Sequence, residues 1–357
     1  MAATVSRGIA PSCTFLTGGD VAPDRQSGRN LFGKLAPLFR KADLAFLNLE
    51  HNLARSGALM KGKPTHHRGK PELIEGFHEA GFDALTVANN HMLDFGPESF
   101  FDTLDLLKEH SFPFTGAGRN LAEARRPVVL ERSGLRIGIL AYSTTLPQGS
   151  AAGPDEPGVN PMRVSTSYTT RWNPSEYPGA EMSIHTRTDP ADLAQMKRDI
   201  SKVKKKADVV LVGNHWGASM SHQVHDYQSE IGRAAIDAGA SAVFGGHQHV
   251  LGGIEFHKGK PIVHCTGNLI FDIVEPFFTD ATHQTFLFGG MLSKKGIDDL
   301  YILPCRCGVK SAPQLLSPRR GEGRDIVWFM EKLCKPFGTR LEVNGERVAV
   351  VPPDAQP

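Results

Sequence analysis

Two histidines separated by one residue directly follow a short apolar run in the second half of the chain. Residues 241–246 predict a buried strand that ends at two glycines, and His247 and His249 come next. In an extended strand this spacing places both side chains on one face, and a turn that begins at glycine can also bring both to one side. Because neutral imidazole is the commonest metal-binding side chain, the pair indicates a metal site. Two surface histidines on a turn are the alternative interpretation.

Four earlier apolar runs also end in side chains that can bind a metal ion or transfer a proton. These runs end at Asp20, at Glu50, at Asn89-Asn90-His91 and at His215. An open α/β sheet with its site at the carboxyl edge would bring such residues together. The alternatives are that the two carboxylates are helix caps or turn residues, and that the asparagines lie in left-handed turns.

The donor atoms that these runs supply are hard oxygens and imidazole nitrogens. The candidate metal ligands are Asp20, Glu50, Asn90, His215, His247 and His249. This mixture suits one or two divalent ions such as Mn, Zn, Fe or Mg, and it does not suit a soft thiolate site. Two such ions would lie about 3.5–4 Å apart and share a carboxylate.

His91 is the candidate proton-transfer residue. It follows the candidate ligand Asn90, so its side chain is expected near a bound substrate, and Asp94 is placed to hold its other ring nitrogen. Gly267-Asn268 is expected to support the site from behind the ligands.

Candidate substrate contacts are Arg68, Asn89 and Trp172. Arg68 belongs to a basic segment, residues 55–70, that is either an anion-receiving loop beside the site or a solvated loop. Trp172 lies in residues 146–180, which are rich in proline and glycine and lack periodicity. We interpret this stretch as a structureless loop that covers the substrate, with disorder as the alternative.

The composition excludes several classes of protein. The chain has 357 residues, enough for a large core, and its net charge of +2 argues against a dedicated nucleic-acid binder. Five irregularly spaced cysteines argue against a disulfide framework, and fifteen histidines suit metal or proton chemistry. Residues 1–8 do not resemble a signal peptide, and no stretch is long and apolar enough to span a membrane. We therefore expect a cytoplasmic protein without a membrane anchor.

Alternating strands and helices predict an α/β fold. Helices are predicted over 30–40, 72–80, 97–110, 191–206, 221–239 and 325–335, and hairpins over 128–142, 254–265, 285–305 and around residues 344–345. We assign residues 13–308 to one domain, with the candidate substrate loop at 146–180, and residues 309–357 to a C-terminal extension of a helix and a hairpin.

Six motifs in order resemble the CapA family of capsule and poly-γ-glutamate synthesis proteins, a branch of the calcineurin-like metallophosphoesterases. They are Gly19-Asp20, Asn48-Leu49-Glu50, residues 88–96, His215-Trp216-Gly217, residues 246–249 and residues 267–272. The resemblance covers residues 13–272. It implies a four-layer α/β/β/α sandwich of the metallo-dependent phosphatase type with C-terminal antiparallel hairpins, the six ligands named above, and His91 as the proton-transfer residue.

Two positions depart from the wider metallophosphoesterase pattern. That pattern has a histidine where this chain has Ala22 and an aspartate where it has Glu50. The departures predict a weaker ligand set at one metal position and argue against ordinary phosphatase activity.

The leading functional hypothesis is a metal-dependent enzyme that acts on a peptide-like or γ-glutamyl substrate, with hydrolysis as the default. Alternatives are a peptide epimerase that inverts a Cα centre in a ribosomal-peptide pathway, a phosphoesterase, and a non-catalytic polymer-binding subunit. We expect no nucleic-acid partner and no organic cofactor, and a homo-oligomer is possible.

Overall fold

A computed structural model describes residues 11–273, 276 and 278–353 of the chain. Residues 1–8, in which the sequence predicts no signal peptide, lie outside these residues. Within the described part of the chain, no helix combines the length and the apolar character needed to cross a membrane. The five cysteines are free and buried.

Strands predominate in the described residues. They are β1 Ser12–Thr17, β2 Asp20–Ala22, β3 Leu44–Asn48, β4 Asn52–Leu53, β5 Arg68–Gly69, β6 Ala84–Thr86, β7 Phe114–Thr115, β8 Ala117–Gly118, β9 Val128–Arg132, β10 Leu135–Ser143, β11 Gly158–Val159, β12 Val164–Thr170, β13 Met182–Thr188, β14 Val209–His215, β15 Ala242–Gly246, β16 Ile254–His257, β17 Lys260–Val263, β18 Asn268–Phe271, β19 Gln284–Ser293, β20 Gly296–Arg306, β21 Gln314–Leu315, β22 Arg340–Asn344 and β23 Arg347–Val351.

The α-helices are α1 Ala36–Lys41, α2 Ile74–Ala80, α3 Gly96–Glu109, α4 Leu121–Ala124, α5 Pro190–Lys204, α6 Asp226–Asp237 and α7 Gly321–Cys334. Short 3-10 helices span Gly33–Leu35, Pro71–Leu73, Asp280–His283 and Lys335–Phe337. The α/β class predicted from the sequence is confirmed.

Two large sheets carry the strands that end in candidate ligands. The larger has the order β22-β23-β20-β19-β1-β3-β6-β7, with β21 beside β20, and the smaller has the order β16-β17-β15-β14-β10-β9. The expectation of one open sheet is therefore wrong. The runs before Asp20, Glu50 and Asn90 lie in the larger sheet, and those before His215 and His247 lie in the smaller one. Each group nevertheless belongs to a parallel set of strands, β1-β3-β6 and β14-β15.

The two sheets share an apolar core. Phe15 and Phe46 of the larger sheet contact Phe244 of the smaller sheet, with ring centroids 6.1 and 5.4 Å apart. Phe288 of β19 packs against Phe244 at 5.8 Å. Edge-on aromatic contacts of this kind add to the free energy of burial, so they fix the two sheets against each other.

Helices cover the opposite faces of these sheets. Alternate residues of β1 and β3, such as Leu16 and Leu47, join a cluster with residues of α1, α2 and α3. Leu140 of β10 and Val212 of β14 join another cluster with residues of α5 and α6. This alternation follows from the two-residue period of a strand, which gives each sheet two buried faces.

Two predicted helices have informative boundaries. The helix predicted over 72–80 ends as expected at Gly81, which has a positive φ of 80°. The helix predicted from residue 221 begins only at Asp226, where the side chain of Gln228 accepts a hydrogen bond from the backbone of His225. Residues 221–225 stay outside the helix because the Gln248 side chain donates to the carbonyl of Ser221.

The prediction that residues 146–180 are structureless is wrong in part. Strand β12 lies within this range and forms an antiparallel hairpin with β13. Both strands are rich in threonine and contain Tyr168 and Ile184, residue types that favour extended backbone. One strand of a separate two-stranded sheet therefore occupies part of the predicted loop.

The predicted C-terminal hairpins are present. Strands β16 and β17, β19 and β20, and β22 and β23 form antiparallel pairs. Strand β23 also pairs with β20, and α7 contributes Ile326 and Met330 to the core between the sheets. The last part of the described chain is thus packed on the same core.

Candidate metal centre

The turn after β15 brings both histidines of the first motif to one side. His247 and His249 have positive φ values of 88° and 59°, which is uncommon for residues other than glycine. Their ring centroids lie 5.9 Å apart. Donor atoms of both rings lie within 4.8 Å of each other and of a Glu50 carboxylate oxygen, which confirms that the turn directs both imidazoles inward.

Glu50 joins two groups of buried donors. One contains His247 and His249, and the other contains Asp20 and His215, with all donor atoms of each group within 4.8 Å of one another. Residues from both sheets therefore meet around one carboxylate. A shared carboxylate between two donor groups is the arrangement expected for a pair of divalent ions.

The burial of the Glu50 carboxylate is only partly offset by its neighbours, among which the charge of Lys63 lowers its pKa. The carboxylate is fully buried, and neither oxygen has a hydrogen-bond partner among the described residues. The nearest imidazole nitrogen is Nε2 of His215, 3.3 Å from Oε1. Burial raises the pKa of Glu50 to about 8. Since a buried carboxylate is costly unless it is paired or coordinates a metal, this side chain fits a metal ligand.

Asp20 is oriented by three neighbours. Its Oδ1 accepts a hydrogen bond of 2.8 Å from Asn48 Nδ2, and its Oδ2 accepts one of 2.7 Å from the backbone N–H of His247. A Cβ atom at Gly246 would lie 2.5 Å from Oδ1, so only glycine leaves room for the carboxylate. Burial, followed by the charge of Glu50, raises the pKa of Asp20 to about 7.

The histidines of the site are held in the neutral, metal-binding form. Burial lowers the pKa of His215 to about 4 and the pKa of His247 well below its usual value. Burial also lowers the pKa of His249, whose Nδ1 lies 2.9 Å from Asn268 Oδ1. Asn268 thus contacts one ring nitrogen of His249 and leaves the other for a metal ion, as expected of a residue that supports the site from behind the ligands.

The two asparagines after β6 have different surroundings. Asn90 Oδ1 lies 2.7 Å from Nε2 of His215, so these two donor atoms converge on one point. Asn89 is fully buried. Its amide nitrogen donates to the carbonyl of Leu49, and its amide oxygen accepts from the backbone N–H of His91. The contacts of Asn89 are those of a residue that positions its neighbours, and its predicted role in substrate binding stays a prediction.

His91 lies beside the ligands and makes the contact expected from the sequence. Its Nδ1 is 2.6 Å from Asp94 Oδ2. Burial, with the charge of Lys63 as the next cause, lowers the pKa of His91 well below its usual value. The ring is therefore neutral, and its tautomer depends on what Nδ1 contacts.

Lys63 is a site residue that sequence reasoning did not single out. Its side chain is 7% exposed, and its ammonium group forms an ion pair with Asp94 and lies 2.9 Å from Nδ1 of His91. It also donates a 2.7 Å hydrogen bond to the carbonyl of Asn90. Its position in a basic, polar segment gave no distinctive signal. Asn48 was likewise quoted only as part of a motif, although it orients Asp20.

The two remaining candidate residues, Arg68 and Trp172, contact residues outside the ligand set. Arg68 donates to the Ser56 carbonyl at 2.8 Å, and its guanidinium group stacks 4.0 Å from the centroid of Phe95. Trp172 is 57% exposed at the turn between β12 and β13, where its ring packs against Tyr177. The structure therefore unites the candidate metal and proton-transfer residues and leaves Trp172 on a separate hairpin.

Buried carboxylate, amide and imidazole donors at the meeting point of two sheets define a protein equipped to hold divalent metal ions. Residues 14–273 match the family model described as "Bacterial capsule synthesis protein PGA_cap", and the chain belongs to this family.

Similar proteins carry names related to capsule or polymer synthesis. The "PGA biosynthesis protein CapA" of Bacillus subtilis is 28% identical over 251 residues, which cover 70% of this chain and 58% of the relative. A "probable polyglutamine synthesis accessory protein" of Mycobacterium tuberculosis is 26% identical over 330 residues, covering 88% of this chain and 78% of the relative. The chain thus spans little more than half the length of the Bacillus relative.

Among solved structures, a protein titled "GAP50 the anchor in the inner membrane complex of Plasmodium" aligns with a TM-score of 0.36 and 11% identity, covering 88% of this chain and 91% of that chain. A score this low does not establish a shared fold.

Proposed function

We propose that the protein is a metal-dependent enzyme that hydrolyses a peptide-like or γ-glutamyl substrate. The observation that carries this proposal is Glu50, a fully buried carboxylate whose oxygens have no hydrogen-bond partner among the described residues and which belongs to two groups of ligand side chains. Metal binding explains this carboxylate better than a structural role, because structural buried carboxylates are paired.

The ligand set in this proposal is Asp20, Glu50, Asn90, His215, His247 and His249. Oxygen and imidazole donors together fit Mn, Zn, Fe or Mg. When bound, such an ion supplies Lewis acidity at a carbonyl or phosphoryl oxygen. Ala22 offers no ligand atom and packs with Phe271 and Cys307. This leaves one ligand fewer than the wider metallophosphoesterase pattern.

His91 is the proposed proton-transfer residue. With its Nδ1–H donated to Asp94, Nε2 carries a lone pair and accepts a proton from a nucleophile, which gives an imidazolium paired with Asp94. The imidazolium then gives its Nε2 proton to the leaving amine and returns to the neutral form, and the nearby charge of Lys63 favours this release.

The substrate class is proposed from the family. The Bacillus relative is named for PGA biosynthesis, and the mycobacterial one for a role as a synthesis accessory protein. A γ-glutamyl amide presents a carbonyl for attack and an amine that needs a proton on leaving, which matches the acid–base equipment of His91. The word "accessory" in the name of the mycobacterial relative favours a second candidate function, that of a non-catalytic polymer-binding subunit.

The three packed clusters support the four-layer α/β/β/α order that we propose for the fold. One lies between the two sheets, and each of the other two joins a sheet to helices. A shared layer order with the metallophosphoesterases would explain why the ligands gather at the carboxyl ends of strands from both sheets.

The test combines metal analysis with a simple γ-glutamyl dipeptide. The purified full chain is loaded with Mn²⁺, its metal content is measured, and γ-glutamyl-alanine is supplied while glutamate release is followed by mass spectrometry. We expect bound metal and release of glutamate. His91→Ala should reduce the rate by about 10²–10⁴-fold without loss of metal, whereas His185→Ala, an exposed histidine on β13, should change neither.

Other outcomes identify the alternatives. Solvent deuterium at Cα without cleavage, in deuterium oxide, would indicate epimerisation. Phosphate release from p-nitrophenyl phosphate without peptide cleavage would indicate a phosphoesterase. A protein that binds no divalent ion would contradict the proposal and favour the polymer-binding subunit. Loss of metal in His91→Ala would show that this residue is a ligand and not the acid.

A further inference from the structure

An open, mainly apolar groove of about 610 Å³ lies between α7 and the segment that leads into β19. Trp328 and Phe329 of α7 form its apolar wall, and Ala281 and Gln284 form the opposite wall. Arg324 and Asp325, an ion pair at 3.0 Å, lie at its polar rim. Its volume is in the range of ligand-binding pockets, about 300–1,000 Å³.

One wall of the groove is connected by hydrogen bonds to the turn that contains Gln248, the residue between the candidate ligands His247 and His249. His222 lines the groove, its Nδ1 bonds to the carbonyl of Leu251 at 2.8 Å, and its ring lies edge-on to Phe329 at 4.8 Å. The preceding residue, Ser221, accepts a hydrogen bond from the side chain of Gln248. This wall therefore follows directly from the turn that carries His247 and His249.

The opposite wall is connected to the candidate ligand His249 through hydrogen bonds of Asn268. The amide nitrogen of Asn268 donates to the carbonyl of Thr282 at 3.4 Å, and its amide oxygen lies 2.9 Å from Nδ1 of His249. Thr282 lies between two groove residues, Ala281 and Gln284. Both walls of the groove thus continue into the shell of the candidate metal centre.

We propose that this groove binds a large aromatic side chain of the substrate, next to the bond that the metal centre acts on. The proposal rests on the proposed function and adds a specificity for the residue beside the γ-glutamyl or peptide bond. Three aromatic rings line the groove, those of His222, Trp328 and Phe329. They offer faces and edges on which an aromatic side chain stacks.

The exposure of Trp328 supports an external partner. The residue is 57% exposed, and Lys332 lies over its ring at 3.3 Å from the centroid. A large aromatic side chain in an open groove leaves apolar surface in water, which a bound ring would cover. The neighbouring ion pair of Arg324 and Asp325 supplies a polar border, as binding sites with an apolar floor commonly have.

The experiment compares two dipeptides that differ in one side chain. Dissociation constants of γ-glutamyl-phenylalanine and γ-glutamyl-alanine are measured by calorimetry on the Mn²⁺-loaded full chain in a His91→Ala background, where cleavage does not consume the peptide. We expect the phenylalanine peptide to bind at least about tenfold more tightly. Trp328→Ala should remove most of this preference, and Ala281→Trp, which fills the groove without deleting a contact, should also do so.

The matched control is Phe101→Ala. Phe101 also lies on an outer helix with a cation over its ring, Arg119 at 4.5 Å, but outside the groove. This variant should keep the full preference for phenylalanine. Circular dichroism of each variant verifies that the fold is retained.

Equal affinities for the two peptides, no saturable binding of either, or a preference that survives both groove substitutions would overturn the groove proposal. These results are separate from those that test the proposed function. Glutamate release from γ-glutamyl-alanine by the wild-type protein, together with equal affinities, would sustain the enzyme and reject the groove. A Trp328-dependent preference without any cleavage would sustain the groove and reject the hydrolase.

Discussion

Replacing Glu50 with glutamine is expected to stabilise the metal-free protein. Burial raises the pKa of this carboxyl from 4.5 to about 8, so ionising it inside the folded protein costs free energy that unfolding releases. At about 1.4 kcal/mol per pH unit, the interval from 4.5 to pH 7 corresponds to about 3 kcal/mol. Glutamine and protonated glutamic acid are both neutral and nearly equal in shape, so the substitution removes this cost with little change in packing.

The pH dependence of this effect has a definite sign. Because the pKa of Glu50 in the folded protein lies above its value in the unfolded chain, the contribution of the wild-type side chain is intact below pH 4.5 and is lost as the pH rises toward about 8. The gain in unfolding free energy of Glu50→Gln over wild type should therefore grow by about 3 kcal/mol between pH 4.5 and pH 7. Urea unfolding in the presence of EDTA measures it.

Glu255→Gln is the matched control. Glu255 is also buried, at 3% exposure, but it pairs with Arg233 at 2.5 Å and with His264 at 3.2 Å. Burial acts to raise the pKa of Glu255, but His264 and Arg233 outweigh burial and bring the pKa below its usual value. Its replacement should therefore destabilise the protein.

With metal bound, the wild type should have a larger free energy of unfolding than Glu50→Gln, the reverse of their order without metal. Excess Mn²⁺ at about 1,000 times its dissociation constant stabilises a protein that binds it by about 4.1 kcal/mol, which exceeds the advantage of about 3 kcal/mol that the variant has without metal, and the variant should lose most of this gain. The reasoning would be refuted if Glu50→Gln destabilised the metal-free protein as Glu255→Gln does, because the carboxylate would then be compensated within the fold.

Three further substitutions test the surroundings of the site. Lys63→Met should lower turnover about 10²-fold with metal content unchanged, because His91 loses the ammonium group beside Nδ1; Lys63→Arg should restore part of it, and equal rates in all three proteins would argue against this role. Asn268→Ala should weaken metal binding about 10–100-fold in a chelator competition, since His249 loses the contact that orients its ring. Gly246→Ala should abolish metal binding, because the added Cβ atom would lie 2.5 Å from Oδ1 of Asp20. Metal analysis of the purified protein measures this loss.

The sequence was sufficient to find most candidate ligands, because each follows a short apolar run that could be recognised by itself. The turn after β15 is an example: two glycines followed by His247 and His249 predict converging imidazoles, and the left-handed backbone of both residues brings this about. The contact between His91 and Asp94 was predictable for the same reason, since the two residues are only three positions apart.

Predictions from the local sequence pattern failed where contacts with residues far along the chain decide the structure. The helix predicted from residue 221 begins at Asp226, because Gln248, which is far along the chain, binds the carbonyl of Ser221. Residues 146–180 lack a clear period, yet part of this range forms a strand through pairing with β13.

What the sequence by itself determined is the identity and order of the ligand-bearing strand ends, since strand periodicity, glycine turns and ligand type are local properties. Only the tertiary structure decided which strands lie in which of the two sheets, that Glu50 lies within reach of histidines from the smaller sheet, and that Lys63 lies against His91. The physical reason is that sheet pairing and the burial of charge depend on which distant segments exclude water together. The free-energy cost of ionising Glu50 arises only once both sheets have closed over it.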